Sequence, residues 1–189
     1  MRTRFDRSHG ADAIPQKSSG LSDQAVTGDA ALWGAFYRVR RDWKNTRGRS
    51  LLMNILVIDA QGGGIGRQVV PALKKAYPDA CVTAVGTNAM ATAAMLKAGA
   101  QRGATGENAV CWAARNADIL IAPIALVLKD SMMGEITGDM AASVGSSRAI
   151  RILVPTERCG THVAGAHGVS MQALVEDAAR QAAAMAAGA

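Results

Sequence analysis

Apolar and polar positions follow two regimes along this chain. From Asn54 onward, short unbroken apolar runs alternate with stretches of helical spacing. Residues 54–59 (NILVID) form such a run, which suits a strand covered on both faces. Gln61 to Gly66 (QGGGIG) is a tight turn, after which Ile65, Val69, Leu73 and Tyr77 recur every four residues, the spacing of a helix lying on a sheet. Pro71 falls inside that helix, removes one backbone donor and should kink or weaken it by ~3 kcal/mol if unrelieved. Tyr77-Pro78-Asp79 ends the helix, and residues 81–85 (CVTAV) read as a second strand. Gly86-Thr87-Asn88 turns into an alanine-rich helix over 89–98, stopped by Gly99. Residues 103–116 read as a turn and a short helix, and 118–121 as a third strand with Pro123 at its end. Residues 126–133 fit either a strand continuation or a short helix. A helix is predicted near 139–147, and 149–154 (AIRILV) is a fourth strand closed by Pro155. Residues 161–164 fit a short edge strand. Ser170 suits the cap of a last helix in which Met171, Leu174, Val175, Ala178, Ala182 and Met185 keep helical spacing.

Apolar strands alternating with helices imply an α/β fold with a mainly parallel sheet covered on both faces. Right-handed crossovers make it a doubly wound layer of four or five strands, Rossmann-like or flavodoxin-like. The chain has 189 residues, 49% hydrophobic and 19% charged, which excludes wholesale disorder and allows one packed domain plus a tail. No apolar run approaches the ~20 residues of a membrane span, so no membrane role is expected. The amino terminus has basic residues but no apolar h-region, which argues against a secretory signal and for the cytoplasm. Cys81, Cys111 and Cys159 are widely spaced and form neither a Cys-x-x-Cys pair nor a disulfide framework.

Charge marks a boundary near residue 50. The formal net charge is +6, but residues 1–50 hold ten Lys or Arg against five Asp, while 51–189 hold eleven basic and ten acidic residues. Five of the seven aromatics (Phe5, Trp33, Phe36, Tyr37 and Trp43) also lie before residue 50. Residues 1–50 thus read as a basic, largely disordered extension, and 51–189 as the α/β domain. Met53 stands directly before the first strand, which favours treating the extension as an appendage. Residues 31–43 (ALWGAFYRVRRDW) mix aromatics with cations, the composition of a surface for RNA or acidic lipid, so any nucleic-acid contact is expected there.

The glycine loop carries most of the functional signal. Glycines let a ligand approach the backbone, a helix amino terminus offers N–H groups and partial positive charge to phosphate, and open parallel sheets bind ligands beyond their carboxyl ends. These arguments converge on Gln61, Gly62, Gly63, Gly64, Ile65, Gly66 and Arg67, with Thr87 and Asn88 as polar neighbours after the second strand. The motif is not a clean nucleotide signature. A G-x-G-x-x-G pattern begun at Gly62 meets Arg67 in its last place, the short-chain dehydrogenase pattern meets Ala60, and Gly66-Arg67-Gln68 is not a Walker lysine. Gly86-Thr87-Asn88 stands where an acidic residue would hold an adenosine ribose, which counts against NAD and leaves NADP, another nucleotide or a phosphorylated metabolite.

Other candidates are weaker. Asp59 fits a turn cap better than a Mg²⁺ or hydroxyl ligand. Glu107 and Asn108 follow the Gly103–Gly106 stretch and could line the same crevice. Asp130 and Glu135 offer loop carboxylates after the third strand, where solvated side chains are the commoner outcome. His162 and His167, with Cys159, do not have a familiar metal spacing, and no acid–base set assembles, so no catalytic residue is assigned.

Residues 53–68 (MNILVIDAQGGGIGRQ), 72–80, 83–100, 103–110, 130–137 and 152–159 resemble a bacterial domain family of unknown function. The resemblance covers most of 53–175 and none of the extension. It implies a Rossmann-like cytoplasmic protein with a glycine-rich first loop, and no catalytic residue. Two function classes follow. The first is a protein that binds a nucleotide or phosphate-bearing small ligand at 61–67. The second is a non-enzymatic regulatory or scaffold module, forming a homo-oligomer or partner surface through the alanine-rich helices 89–98 and 170–187.

Overall fold

The structure, a computed structural model, describes residues 53–156 and 161–187. The basic extension and Cys159 lie outside the described residues. The chain runs β1 (Asn54–Asp59), α1 (Gly66–Ala76), β2 (Cys81–Gly86), α2 (Ala89–Lys97), β3 (Arg102–Thr105), α3 (Glu107–Asn116), β4 (Ile119–Pro123), α4 (Gly138–Gly145), β5 (Ile150–Val154) and α5 (Met171–Ala187). A 3₁₀ turn, Ile124–Val127, and a single turn, Ser131–Gly134, lie between β4 and α4.

All strand pairs are parallel, in the order β3-β2-β1-β4-β5. This is the Rossmann order rather than the flavodoxin order, so the topology resolves the pair of folds expected from the sequence. β1 is central, with Ile55 beside Val82 on one side and Ile119 on the other. Its alternate residues feed two cores. Ile55 and Val57 pack with Val69, Leu73, Val82, Met95, Val175 and Ala182, whereas Leu56 and Ile58 pack with Val85, Val110, Leu120, Leu126 and Val144. A strand serving two cores cannot alternate with polar residues, hence its unbroken apolar run.

Local chemistry sets the helix starts. Asn88 Oδ1 accepts from the Ala91 amide at 2.9 Å, Thr137 Oγ1 from Met140 at 3.2 Å, and Ser170 Oγ from Ala173 at 3.2 Å. Helix α1 runs on through Pro71, whose ring lies on the exposed face. Three elements differ from the sequence expectation. Residues 102–105 form a strand, β3, because the free edge of β2 offers Thr83–Gly86 as ladder partners. Residues 126–133 make neither strand nor ordinary helix, since Asp130, Met132 and Met133 all have positive φ. Residues 161–164 do not pair; turns with left-handed Gly165 and Gly168 lead into α5 instead. Among the described residues, no helix is long and apolar enough to cross a membrane.

Candidate functional site

The strand order reverses between β1 and β4, and the crevice of a doubly wound sheet opens beyond the carboxyl ends at that point. Asp59, the last residue of β1, lies at its base and is buried. Its Oδ1 accepts from the Ala60 amide at 2.8 Å, and its Oδ2 from Ile65 at 3.0 Å and Gly66 at 2.6 Å. The carboxylate thus folds the glycine loop back onto β1 and satisfies amides at the start of α1. Burial pushes the Asp59 carboxyl above its ordinary value, the Gly66, Ala60 and Ile65 amides pull it back, and the Glu135 charge raises it further.

The glycines around this base divide into two groups. Gly63 has φ +67°, and a Cβ there would meet the Ala91 backbone at 2.9 Å. At Gly66 a Cβ would lie 2.7 Å from Met95 Cγ and 3.0 Å from Asp59 Cβ, and at Gly86 it would lie 2.5 Å from the Thr92 amide. These three are glycine so that α1 and α2 can pack against the strand ends. Gly62 and Gly64 are exposed, and a Cβ at either meets nothing within 4 Å. Neither has positive φ, and their amide N–H groups make no hydrogen bond among the described residues.

A residue distant in sequence completes the site. The loop between the Ser131–Gly134 turn and α4 brings Glu135 onto the glycine loop. Its carboxylate accepts from the Gln61 amide at 3.1 Å to each oxygen, from Asn88 Nδ2 at 2.6 Å, and from the Thr87 hydroxyl in a short contact. Asn88 Nδ2 also donates to the Gln61 carbonyl at 2.8 Å, tying the first two βα loops together. Burial works to raise the Glu135 carboxyl, but the Thr87, Asn88 and Gln61 donors outweigh it and hold the group below its ordinary value. Beneath this cluster the buried Thr92 hydroxyl accepts from the Gly86 amide at 3.2 Å and lies 2.7 Å from Thr105 Oγ1, fixing the end of β2.

The structure therefore brings Gln61, Thr87 and Asn88 together around Glu135. Gly62 and Gly64 lie open, Gly63 and Gly66 are buried, Ile65 is half-buried beside Asp59, and Arg67 is exposed. Glu107 and Asn108 instead line a polar hollow of about 330 Å³ between α3 and α4, with Cys111, Arg115 and Asp139. A second hollow, about 220 Å³, lies between β5 and α5, against Leu153, Leu174 and Gln181. His162 and His167 are exposed, Cys81 is half-buried, and no group of three or more metal-ligating side chains occurs among the described residues.

Among solved structures, the chain is similar to a dodecameric FMN-dependent UbiX-like decarboxylase from Escherichia coli O157:H7. The two are 16% identical over 69% of this chain and 76% of that one, with a TM-score of 0.34. No curated protein matches. Residues 54–187, from the first residue of β1 to the last of α5, match one family throughout, and the chain belongs to that family, the domain of unknown function DUF3842.

Proposed function

We propose that the crevice at the end of β1 binds a nucleotide or another phosphate-bearing small ligand. The phosphate lies on residues 61–67, with Thr87 and Asn88 at its side. One observation carries this reading. Gly63, Gly66 and Gly86 are each explained by a close neighbour or a positive φ, whereas Gly62 and Gly64 are explained by neither. Exposed glycines with open amides, next to a helix amino terminus at a switch point, suit an oxyanion that approaches the backbone. Asp59 already takes the Ile65 and Gly66 amides, so the ligand's donors are Gly62 and Gly64, with Arg67 able to add charge. No acid–base set is assigned among the described residues, and the reading is of ligand binding.

The test is thermal unfolding of the full chain with NAD, NADP, flavins, ATP, GTP and phosphorylated sugars. A ligand held at ~100 times its Kd adds ~2.7 kcal/mol. The Gly64→Leu variant should unfold like the parent without ligand, because its Cβ meets nothing, and should lose the ligand-induced shift. A panel without any shift, or a shift that survives in Gly64→Leu, refutes the reading.

A second reading has its own support. Met90 is 73% exposed on the alanine-rich α2, and Leu96 is exposed on the same helix. That surface could pair with another protein or a second copy, whereas the small residues of α5 (Ala178, Ala179 and Ala182) are spent in the core. Sedimentation of the parent and Met90→Lys separates the two readings: association lost in the variant favours the scaffold.

A further inference from the structure

Three donors from two different loops, the Gln61 N–H, the Thr87 O–H and the Asn88 side-chain amide, converge on one carboxylate, that of Glu135. Convergent donors of this kind form an anion seat, and charge-assisted bonds are the strong ones. The segment that delivers Glu135 is strained. Asp130, Met132 and Met133 have φ of 61°, 55° and 64°, a region that non-glycine residues avoid, and the Met133 side chain is 96% exposed. Met132 is half-buried against the second core, whereas Met133 gains no packing. The anchors of the strained stretch lie at its ends: Ser131 Oγ donates to the Ala125 carbonyl at 2.7 Å, the Asp130 amide donates to the Ile136 carbonyl at 2.8 Å, and Ile136 is fully buried. Between those ends, the bonds of Glu135 are what tie the loop to the glycines.

We infer that Gln61, Thr87 and Asn88 form a seat for the terminal phosphate or carboxylate of the ligand, and that Glu135 is its internal occupant, displaced when the ligand binds. The inference rests on the reading of the crevice as a ligand site and adds its regulation. The Glu135 carboxylate already holds the Gln61 amide, the residue before Gly62, so a second oxyanion at that amide meets its negative charge while the loop is closed. Relief of the backbone strain at 130–133 offsets part of the cost of releasing Glu135.

The experiment titrates inorganic phosphate, and acetate in parallel, into the isotope-labelled full chain, its Glu135→Ala variant and its Glu135→Gln variant. Backbone and side-chain amide NMR signals are followed. The three donors are open to solvent at least in part, so removing their acceptor should leave the fold intact, and Glu135→Gln keeps an acceptor oxygen if it does not. Phosphate should shift the Gln61 amide and the Asn88 side-chain amide with a Kd at least tenfold lower in Glu135→Ala than in the parent, and intermediate in Glu135→Gln. A response to acetate but not phosphate would support the seat and assign it to a ligand carboxylate. Equal Kd values within twofold in all three proteins, or no response in any, overturn the inference. The Gly62 and Gly64 signals report separately on the glycine loop. If they respond equally in all three proteins, the loop binds anions and the displacement is refuted. If they stay silent while Gln61 and Asn88 respond more tightly in Glu135→Ala, the seat stands and the placement of phosphate on 62–64 falls.

Discussion

Replacing Asp59 by alanine tests how the glycine loop is held. The carboxylate accepts from three amides, Ala60 at 2.8 Å, Ile65 at 3.0 Å and Gly66 at 2.6 Å. Alanine leaves all three without that partner, and Ala60 and Gly66 are buried. An unsatisfied buried donor costs ~1–3 kcal/mol. Against this, the variant no longer buries a carboxylate, and that burial is the main reason the Asp59 carboxyl sits above its ordinary value. Water entering the vacated space offsets part of the rest. The net loss expected is ~2–4 kcal/mol, or ~8–16 °C in Tm at ~4 °C per kcal/mol for a domain of this size. Asp59→Asn should lose roughly half as much, since its oxygen can serve one side of the cluster while its NH₂ faces a donor on the other. The assay is calorimetric unfolding of the three proteins across the acid range. The sign of the pH dependence follows from linkage. A carboxyl raised in the folded state contributes most below its ordinary value of 3.8, and that contribution is lost as pH rises through the raised value. Asp59→Asn should abolish that fall. A loss below ~1 kcal/mol in Asp59→Ala would show that the amides find other partners and that the carboxylate does not organise the loop.

Other perturbations have equally definite outcomes. Gly63→Ala and Gly86→Ala should each cost more than ~2 kcal/mol, because their Cβ atoms meet backbone at 2.9 Å and 2.5 Å; Gly62→Ala and Gly64→Ala should stay within ~1 kcal/mol, all read by chemical denaturation. Glu135 has the opposite linkage to Asp59. Held below its ordinary value of 4.5, it contributes stability above that value and loses it as pH falls through the lowered one, so Glu135→Gln should flatten the acid limb of a plot of Tm against pH. Pro71→Ala should raise stability by ~1–3 kcal/mol, since the exposed ring gives no packing and the new amide can reach the Arg67 carbonyl; a fall in Tm would show that the ring does more than interrupt the helix.

The parts of the fold that the sequence reveals are those whose burial writes a pattern. β1, β2, β4 and β5 are strands within a residue or two of their apolar runs, because strands covered on both faces must be apolar throughout. β3 escapes that logic. All four of its residues, Arg102 to Thr105, are exposed at the sheet edge, and its only reason to be a strand is the ladder to β2, a partner distant from it in sequence. The reverse error occurs at 161–164, where alternating Thr161, His162, Val163 and Ala164 look like an edge strand but have no neighbour to pair with among the described residues.

The site divides along the same line. That the glycine loop lies at the carboxyl end of β1 follows from local pattern, and the cap role of Asp59 follows from its place at the strand end, just before the turn. Which glycines are needed for packing does not follow, because the answer lies with Ala91, Met95 and Thr92, all contributed by the next helix. Glu135 is further out of reach: it lies 74 residues from Gln61 and 48 from Thr87, and its one local signal is a carboxylate after a strand. Its weight comes from the pairing of features that no window of sequence contains. A left-handed turn at 130–133, unfavourable by ~1 kcal/mol or more per residue, delivers a charged oxygen to donors that two separate βα loops hold in place. Strain of this kind persists only where the surrounding contacts compensate for it, and the compensating contacts here include those of the Glu135 carboxylate with Gln61, Thr87 and Asn88. The loop and the crevice are thus one energetic unit, so a change at Asn88 should be felt in the order of residues 130–136, and a change at Glu135 in the donors of the first two loops.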